Sequence, residues 1–354
     1  MPDVIVVGGG ISGLAAAYEL ARRGTDVLVL ERAHVGAEQS AGLARIFRVA
    51  HADPRLAALA IESHAGWRRW EAELGAHLLG DEGLVSAGPR ARERQAPAVE
   101  AAGGTWRPVA AAELPALVPA AARDHPWGDG LLDPLGGALR VHRALAALAA
   151  RLEVRIAEAV AVEDHGDAAV VRLAGGELLR AGRVLLANGT EVPVLAATAG
   201  LAVPTAFTHH VRLTYAAAGP PGACLTVGEA YGLPLGGTGT FGLGLDDPDG
   251  PRPYRTTDAG EFARAVRGQH AEWVPRHLPG LGPEPLAEVR CVAVEAPWLD
   301  DGGDGFAALR RGRVIAFTGS NLMKFAPVLG ERLARTVLAE DGVDPDLAPE
   351  QPVG

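Results

Sequence analysis

Short apolar runs separated by a helical segment open the chain. Val4 to Val7 is an uninterrupted run of β-branched residues, and a second apolar run follows from Val27 to Leu30. Continuous runs of this length predict parallel strands that are buried on both faces. The Ala- and Leu-rich segment between them, which ends near Gly24, has the composition of a helix. The pattern therefore predicts a strand–helix–strand unit.

The same pattern returns twice later in the chain. The stretch 139–152 is predicted to be a helix, and the apolar run 183–190 is predicted to be a buried strand. The apolar run 314–319 is predicted to be another strand, followed by a helix from Pro327 to about Leu338. Residues 201–305 differ, because polar and apolar positions alternate there as in antiparallel strands, with one helix from Asp258 to Trp273. Residues 40–48 read as a loop that enters a short helix, which would place Arg45 and Arg48 on one helical face.

Two interleaved domains follow from these patterns. We assign 1–80, 138–200 and 306–345 to an α/β nucleotide-binding domain of the Rossmann-like type, and 81–137 and 201–305 to a mainly antiparallel β-sheet domain for the substrate. A chain of 354 residues is long for a single hydrophobic core, which agrees with two domains. Residues 346–354 are expected to form a flexible tail.

A glycine motif sits at the turn of the first unit. Gly8 permits the tight turn, Gly10 lets the backbone approach a pyrophosphate, and Gly13 lets the helix pack on the sheet. Glu31, at the end of the second strand, is placed to accept hydrogen bonds from a ribose and would repel the 2′-phosphate of NADP. The cofactor is therefore FAD or NAD. Its other predicted ligands in this unit are Ile11 and Ser12 at the helix N-terminus, and Arg32.

Composition and charge exclude several classes of protein. The net charge of −10 argues against nucleic acid as a partner, and no apolar run is long enough to span a bilayer. Two cysteines make a disulfide framework improbable and, with no export signal visible, agree with a cytoplasmic protein. Lys324 is the single lysine among 33 basic residues, and an ammonium group is a compact donor that arginine does not replace at a tight site.

The sequence resembles the family of monomeric sarcosine oxidase, N-methyltryptophan oxidase and pipecolate oxidase, within the glycine and D-amino-acid oxidase superfamily. The resemblance covers nearly the whole chain, and it rests on Gly8–Glu31, Arg45–Arg48, Tyr231–Pro234, Cys291 and Gly319–Phe325. It implies a two-dinucleotide-binding fold of the glutathione-reductase type, with FAD as the cofactor.

Cys291 looks like the family cysteine whose thiolate is joined to the 8α-methyl carbon of the flavin. The alternative for this residue is a small buried hydrophobic side chain on an alternating strand, which is the commonest role of a free cysteine. For Arg45, the resemblance implies a place beside the flavin ring, and a structural salt bridge or a phosphate contact is the alternative. The remaining predicted FAD contacts are Ser40, Gly189, Gly319, Asn321, Leu322 and Lys324.

Arg48 and Lys324 match the family pair that binds the substrate carboxylate. A guanidinium fork and an ammonium group can hold a carboxylate so that its α-carbon hydrogen points at the flavin. A solvated lysine ahead of a helix is the alternative for Lys324. Tyr231 is predicted to be a pocket wall or a hydrogen-bond donor, with simple core packing as its alternative.

The sequence also departs from the family pattern. Gly242 stands where family oxidases carry a lysine that promotes the reaction of reduced flavin with oxygen, and Asp246 and Asn321 replace two histidines of the family site. His209 and His210 are the nearest candidates to supply the missing charge, unless they are ordinary residues of the sheet surface.

The predicted function is FAD-dependent oxidation of the C–N bond of an amino acid, or of an N-alkyl or cyclic amino acid, to an imine. O₂ would reoxidise the flavin and yield hydrogen peroxide, and the substrate would belong to secondary metabolism. An alternative is a dehydrogenase or desaturase that uses another electron acceptor. A third is a nucleotide-binding module without redox turnover. We expect a monomer or a small homo-oligomer.

Overall fold

The computed structural model describes residues 1–89, 91–220, 222–237, 239–247, 250, 252–295 and 305–348. The chain divides into two compact units. Unit 1 comprises Met1–Ala41, His142–Thr208 and Val292–Gly354, and unit 2 comprises Gly42–Val141 and His209–Cys291. Both units are assembled from separated segments, and the segment boundaries differ from the predicted ones.

The elements lie in the following order within the described residues. The strands are β1 (Val4–Val7), β2 (Val27–Glu31), β3 (Ala44–Phe47), β4 (Leu84–Ala87), β5 (Arg107–Val109), β6 (Gly130–Asp133), β7 (Gly137–Arg140), β8 (Glu153–Ile156), β9 (Ala159–Asp164), β10 (Ala169–Leu173), β11 (Leu178–Ala181), β12 (Arg183–Leu186), β13 (Ala206–Ala217), β14 (Cys224–Val227), β15 (Ala230–Pro234), β16 (Thr240–Leu245), β17 (Leu281–Glu295), β18 (Gly305–Arg311) and β19 (Val314–Ser320). The α-helices are α1 (Ile11–Ala21), α2 (Pro54–Leu74), α3 (Ala96–Ala101), α4 (Leu114–Leu117), α5 (Val141–Ala149), α6 (Val192–Thr198), α7 (Ala259–His277) and α8 (Ala326–Leu338). Short 3-10 helices cover Ala111–Glu113, Gly189–Glu191, Leu322–Phe325 and Pro345–Leu347, and a π-helical turn covers Ala91–Gln95.

Unit 1 is built on a six-stranded sheet in the order β18-β19-β12-β1-β2-β8. The strands from β19 to β8 run parallel and β18 is antiparallel at the edge. Val6 pairs with both Val29 and Leu185 and is fully buried, as expected for a strand covered on both faces. A separate three-stranded sheet has the order β11-β10-β9.

Helices α1 and α8 of unit 1 cross at close range. A Cβ atom built on Gly330 would lie 2.7 Å from the carbonyl oxygen of Ala15, so glycine allows the two backbones to approach. The last 3-10 helix packs Leu347, which is fully buried. Of the predicted flexible tail, residues 346–348 are thus ordered around a buried side chain, and residues 349–354 lie outside the described part of the chain.

Unit 2 is built on an eight-stranded sheet in the order β17-β13-β16-β15-β14-β4-β6-β5. One face is a hydrophobic core that includes Leu213, Tyr215, Phe241 and Leu243 on the strands and Trp273 on α7. Because side chains alternate along a strand, the residues between these positions lie on the opposite face. That second face carries the polar groups described below.

Residues 42–80 belong to unit 2, whereas the sequence assigns them to the nucleotide-binding domain. The reason is tertiary contact, since β3 and β7 both contact β15 and α2 contacts α3. Residues 44–47 form strand β3, which pairs with β7 of the same unit. The predicted short helix at this point is therefore wrong, and Arg45 and Arg48 do not share a helical face. No helix in the described residues is long and apolar enough to cross a membrane.

Candidate active site

The glycine turn after β1 is closely packed in unit 1. Gly8 has a φ of +115°, and a Cβ atom built on it would lie 2.5 Å from the carbonyl oxygen of Ala187. A Cβ atom on Gly13 would clash with the carbonyl oxygen of Gly8. Both positions therefore require glycine, one because of its backbone conformation and both because of the space available.

The N-terminus of α1 is open at Gly10. Gly10 is the N-cap and makes no side-chain capping bond, while the N–H of Ile11 donates to Ser40 Oγ at 3.0 Å. A Cβ atom on Gly10 would meet only Ser40 Oγ within 4 Å, at 3.2 Å, among the described atoms. A helix N-terminus of this kind attracts a phosphate group. The structure brings together Gly10, Ile11 and Ser40 of the predicted cofactor ligands.

Glu31 lies at the end of β2 with its side chain buried. One carboxylate oxygen accepts the N–H of Gly9 at 2.8 Å and the other accepts the N–H of Ala33 at 2.9 Å. These bonds fix the carboxylate beside the glycine turn. The guanidinium of Arg32 pairs with Glu38 at 2.6 Å, which raises the pKa of Arg32.

A second loop of unit 1 approaches the glycine turn from β12. The amide oxygen of Asn188 is buried and has no hydrogen-bond partner among the described atoms, and its Cα would lie 2.9 Å from a Cβ on Gly8. Gly189 follows with a φ of +63°, close to Gln39. An unsatisfied buried amide beside an open helix N-terminus fits a site for a polar ligand. These residues fit the pyrophosphate and ribose of FAD.

The segment between β19 and α8 carries the other predicted cofactor contacts of unit 1. Gly319 is needed by the neighbouring strand, because a Cβ atom there would clash with the Gly305 carbonyl oxygen on β18. Asn321 has a φ of +55°, a left-handed conformation, and precedes the 3-10 helix Leu322–Phe325. Lys324 lies in this turn with 6% of its surface exposed, and its Nζ is 5.3 Å from the centroid of the Phe325 ring. Lys324 is therefore a buried lysine and not a solvated one.

A row of residues crosses the polar face of the unit 2 sheet. Arg212 on β13 and Tyr231 on β15 both pair with Gly244 on β16, which lies between them. A Cβ atom on Gly244 would clash with the Tyr231 ring, so the absence of a side chain lets that ring lie across the middle strand. His210 and Arg212, two residues apart, share this face.

The hydroxyl of Tyr231 reaches His210, and His210 reaches Cys291. Tyr231 Oη is hydrogen-bonded to His210 Nε2, and the two rings are stacked at 18°. On its other side, His210 Nδ1 lies 3.0 Å from Cys291 Sγ on β17. The three side chains therefore form a continuous hydrogen-bonded chain within unit 2.

Two guanidinium groups dominate the charge around this chain. Arg45 donates to the carbonyl oxygen of Ala44 at 3.0 Å, and Arg212 lies 3.4 Å from the same oxygen. Burial, and then the charge of Arg212, lower the pKa of Arg45 to about 9. Burial and both arginines lower the pKa of His210 to about 3, so this imidazole is neutral. Burial raises the pKa of Tyr231, which keeps its proton.

Arg212 is buried with unsatisfied donors. Only 9% of its surface is exposed, and its Nε and Nη2 groups have no hydrogen-bond partner among the atoms that the structure describes. A buried cation without full hydrogen bonding is unfavourable unless a ligand completes it. Unit 2 therefore has the electrostatics of a site for an electron-rich group.

The remaining predicted residues of unit 2 are His209, Arg48 and Gly242. His209 points to the other face of β13, where its Nε2 is 3.1 Å from the carbonyl oxygen of Thr257 and its ring stacks on Phe262. Arg48 follows β3 directly. Gly242 faces Leu233 and Leu235, the nearest neighbours of a Cβ built there.

A family model described as FAD dependent oxidoreductase matches residues 3–336. The chain belongs to the DAO family of FAD dependent oxidoreductases. It is an FAD-dependent enzyme, and its predicted family resemblance and its mixed α/β fold class are confirmed. The family assignment sets aside the alternative of a non-redox nucleotide-binding module. A comparison with curated protein sequences gave no match.

Solved structures share the fold of this DAO family oxidoreductase. NikD, described as an unusual amino acid oxidase essential for nikkomycin biosynthesis, aligns with a TM-score of 0.83 and 24% identity over 98% of this chain and 97% of its own. Glycine oxidase from Geobacillus kaustophilus aligns with a TM-score of 0.81 and 19% identity over 100% and 99% of the two chains. L-proline dehydrogenase from P. horikoshii aligns with a TM-score of 0.81 and 19% identity over 98% and 96%. At these identities the likeness is one of fold.

Sequence reasoning missed Arg212 and did not rank His210 above His209. The signal was present in the alternation of β13, because His210 and Arg212 fall on one face and Val211 and Leu213 on the other. What the sequence does not contain is the position of Gly244 opposite Arg212, which requires the strand register.

Proposed function

We propose that this DAO family oxidoreductase oxidises the C–N bond of an amino acid, or of an N-alkyl or cyclic amino acid, to an imine and uses O₂ as the electron acceptor. FAD, when bound, supplies the group that takes two electrons from the substrate and passes them on. Hydrogen peroxide is the second product. The known activities of the structural neighbours support an amino acid as the substrate class.

The buried positive charge of Arg212 is the observation that supports O₂ as the electron acceptor. The sequence lacks the family lysine, since Gly242 stands in its place. Gly242 pairs with Thr214, and Arg212, two residues before Thr214 on β13, pairs with Gly244. Residues two apart on a strand share a face, so Arg212 lies on the same face of the sheet as Gly242. The neutral imidazole of His210 does not supply a charge. We therefore assign the positive charge that assists the reaction with oxygen to Arg212.

Arg48 and Lys324 remain the proposed ligands of the substrate carboxylate. The burial of Lys324 supports this role, because a positive charge in a medium of low dielectric attracts an anion more strongly than a solvated one does. A carboxylate held by a guanidinium and an ammonium fixes the orientation of the α-carbon hydrogen. The amine must react as the neutral base, since its lone pair assists the departure of the hydride.

Rapid mixing of reduced enzyme with air-saturated buffer tests the choice of acceptor. The oxidised flavin spectrum should return within about a second, and Arg212→Met should slow this step by about 10² to 10³, the effect of removing one preorganised charge. The matched control is Arg290→Met, which removes an exposed arginine from the adjacent strand β17. Reoxidation at the wild-type rate in Arg212→Met would refute the role of Arg212.

A dehydrogenase is the second candidate, favoured by the apolar surroundings of Gly242. It would pass its electrons to a quinone or to another protein. If the wild-type enzyme takes minutes to reoxidise in air but reacts at once with a quinone, this candidate replaces the oxidase. The reductive half-reaction with the amino acid is the same in both.

We propose further that FAD is attached covalently to Cys291. The intermediate exposure of Cys291 supports a reactive role, in contrast to Cys224, which is fully buried on β14. Acid precipitation should leave the yellow colour with the wild-type chain, and the intact mass should include FAD. In Cys291→Ala, the colour should leave with the supernatant. Complete release from the wild type would show that attachment is wrong.

A further inference from the structure

The chain from Cys291 to Tyr231 has the geometry of a proton path. The imidazole of His210 lies between the two, with Nδ1 3.0 Å from the sulfur and Nε2 hydrogen-bonded to the hydroxyl. A hydroxyl group can accept one proton and donate another, whereas a neutral imidazole carries a proton on one nitrogen only. The order of groups is therefore thiol, imidazole, hydroxyl.

The surroundings of His210 prevent a proton from resting on it. Its imidazole is desolvated, and Arg45 and Arg212 both repel a second positive charge there. A simple exchange, in which the thiol gives its proton to histidine and forms a stable ion pair, is therefore unfavourable at this position. A proton that arrives at Nδ1 must be matched by one that leaves from Nε2, and Tyr231 is the group placed to receive it.

We propose that His210 and Tyr231 are a proton relay that removes the thiol proton of Cys291 while its sulfur bonds to the flavin. The inference rests on the covalent attachment proposed above. The S–H bond and one C–H bond of the 8α-methyl group break, and the S–C8α bond forms. The electron pair passes to the ring system, the thiol proton leaves to water through His210 and Tyr231, and the C–H proton also leaves to water. O₂ then takes up the two electrons and two protons, which gives hydrogen peroxide. His210 and Tyr231 are positioning residues for this step and do not change oxidation state.

Two features of the fold maintain the relay. Gly244 leaves open the space through which the Tyr231 ring crosses β16. The strand order β17-β13-β16-β15 places Cys291, His210, Gly244 and Tyr231 on four consecutive strands. The relay needs one side chain from each of β17, β13 and β15 and none from β16. The register of the sheet therefore determines whether these groups meet.

The relay predicts that Tyr231 matters as much as His210. In a simple acid–base pair, removal of the Tyr231 hydroxyl would leave the exchange between sulfur and imidazole intact. In a relay, Tyr231→Phe and His210→Phe block the same path. Each should slow covalent attachment on the order of 100-fold, the lower range for loss of a proton-transfer partner. Tyr231→Phe keeps the ring and its packing, so it is the decisive variant.

The experiment follows attachment by the intact mass of the full-length chain after FAD is added to protein isolated from riboflavin-limited cells. Wild type, His210→Phe, Tyr231→Phe and the control Tyr254→Phe are compared in H₂O and D₂O. Tyr254 is 42% exposed and contacts His209 instead of His210, so its variant should behave as wild type. The wild-type rate should fall in D₂O, and the two relay variants should be slow and less sensitive to D₂O. Attachment at the wild-type rate in Tyr231→Phe would overturn the relay.

A second measurement separates the relay from the attachment itself. If the wild type binds FAD only non-covalently, the proposed attachment fails, and Cys291 is then a free thiol in the purified holoenzyme. Its labelling by iodoacetamide, located by peptide mass, tests the relay directly. Here the S–C bond forms as the C–I bond breaks, iodide leaves, and the thiol proton goes to water through His210 and Tyr231. Labelling should be on the order of 100-fold slower in Tyr231→Phe, and equal labelling would refute the relay.

Discussion

Asp133 holds two separate turns of unit 2 through a single buried carboxylate. Its side chain is 2% exposed. One oxygen accepts the N–H groups of Val49 and Ala50 at 2.5 and 3.0 Å, and the other accepts those of Leu135 and Gly136 at 3.0 and 3.1 Å. Three of these four bonds are fully buried. The residue is therefore a structural acceptor on which two backbone segments converge.

Replacement of Asp133 should strongly lower the free energy of unfolding, and alanine should lower it more than asparagine. Asp133→Ala removes the acceptor of the Val49, Ala50 and Leu135 N–H groups, whereas the N–H of Gly136 keeps the backbone carbonyl oxygen of residue 133 at 3.2 Å. Each buried N–H without an acceptor costs about 1 to 3 kcal/mol, so we expect a loss of about 4 kcal/mol in the free energy of unfolding. Asp133→Asn keeps one acceptor oxygen and should lose about half as much. The segment held at Val49 follows Arg48 directly, so both variants should also bind carboxylate inhibitors more weakly.

Urea unfolding followed by far-UV circular dichroism measures this series. The control is Asp129→Ala, because Asp129 also accepts a backbone N–H, from Ala111 at 3.0 Å, but its side chain is 54% exposed. Loss of an exposed acceptor leaves a donor that water can satisfy, so the control should lose less than about 1 kcal/mol. If Asp133→Ala is no less stable than Asp129→Ala, the reasoning from buried donors is wrong.

Three further predictions concern packing, pH and ligand binding. Gly330→Ala should destabilise the enzyme by about 1 to 3 kcal/mol in thermal unfolding, since its Cβ would lie 2.7 Å from the Ala15 carbonyl oxygen, whereas Gly268→Ala, with nothing within 4 Å in α7, should be neutral or stabilising. Burial lowers the pKa of His270 from 6.5 to about 4, so between these pH values the unfolded chain binds a proton that the folded chain does not. The free energy of unfolding should therefore fall by about 3 kcal/mol as the pH drops through this window, and urea titrations of His270→Phe should lack this component. Lys324→Met should weaken carboxylate inhibitors by about 2 to 4 kcal/mol in flavin-perturbation titrations, and unchanged affinity would remove Lys324 from the site.

The nucleotide-binding half of the fold is predictable from sequence because its signals are local. A buried strand reads as a continuous apolar run, and the predicted strands at Val4 and Val27 are β1 and β2. The predicted helix from Pro327 to Leu338 differs from α8 by one residue at its start. Gly8 and Gly13 are confirmed as positions that only glycine fills. Gly8 has a positive φ, and a Cβ atom on Gly13 would clash with the carbonyl oxygen of Gly8 in the same turn.

The segment 40–48 shows where local signals fail. Its apolar and basic residues fit a short helix as well as a strand, and the pairing with β7, almost a hundred residues later in the chain, decides for the strand. The change removes the relation predicted for Arg45 and Arg48, because Arg45 lies within strand β3 and Arg48 follows its last residue. Any role that Arg45 and Arg48 would share as neighbours on one face therefore depends on whether this segment is a helix or a strand.

The polar face of unit 2 shows a stronger dependence on register. His210 and Arg212 lie on one face of β13 while Val211 and Leu213 pack in the core, so a shift of one residue would bury both polar side chains in that core. Tyr231 also needs Gly244 directly opposite on β16, because a Cβ atom there would clash with the Tyr231 ring. We propose that Arg212 on the neighbouring strand β13 supplies the charge that Gly242 lacks, and a comparison limited to position 242 would not find it. Substitution of Gly244 by alanine should therefore disturb the proposed relay to Cys291 through the Tyr231 ring, although Gly244 itself carries no functional group.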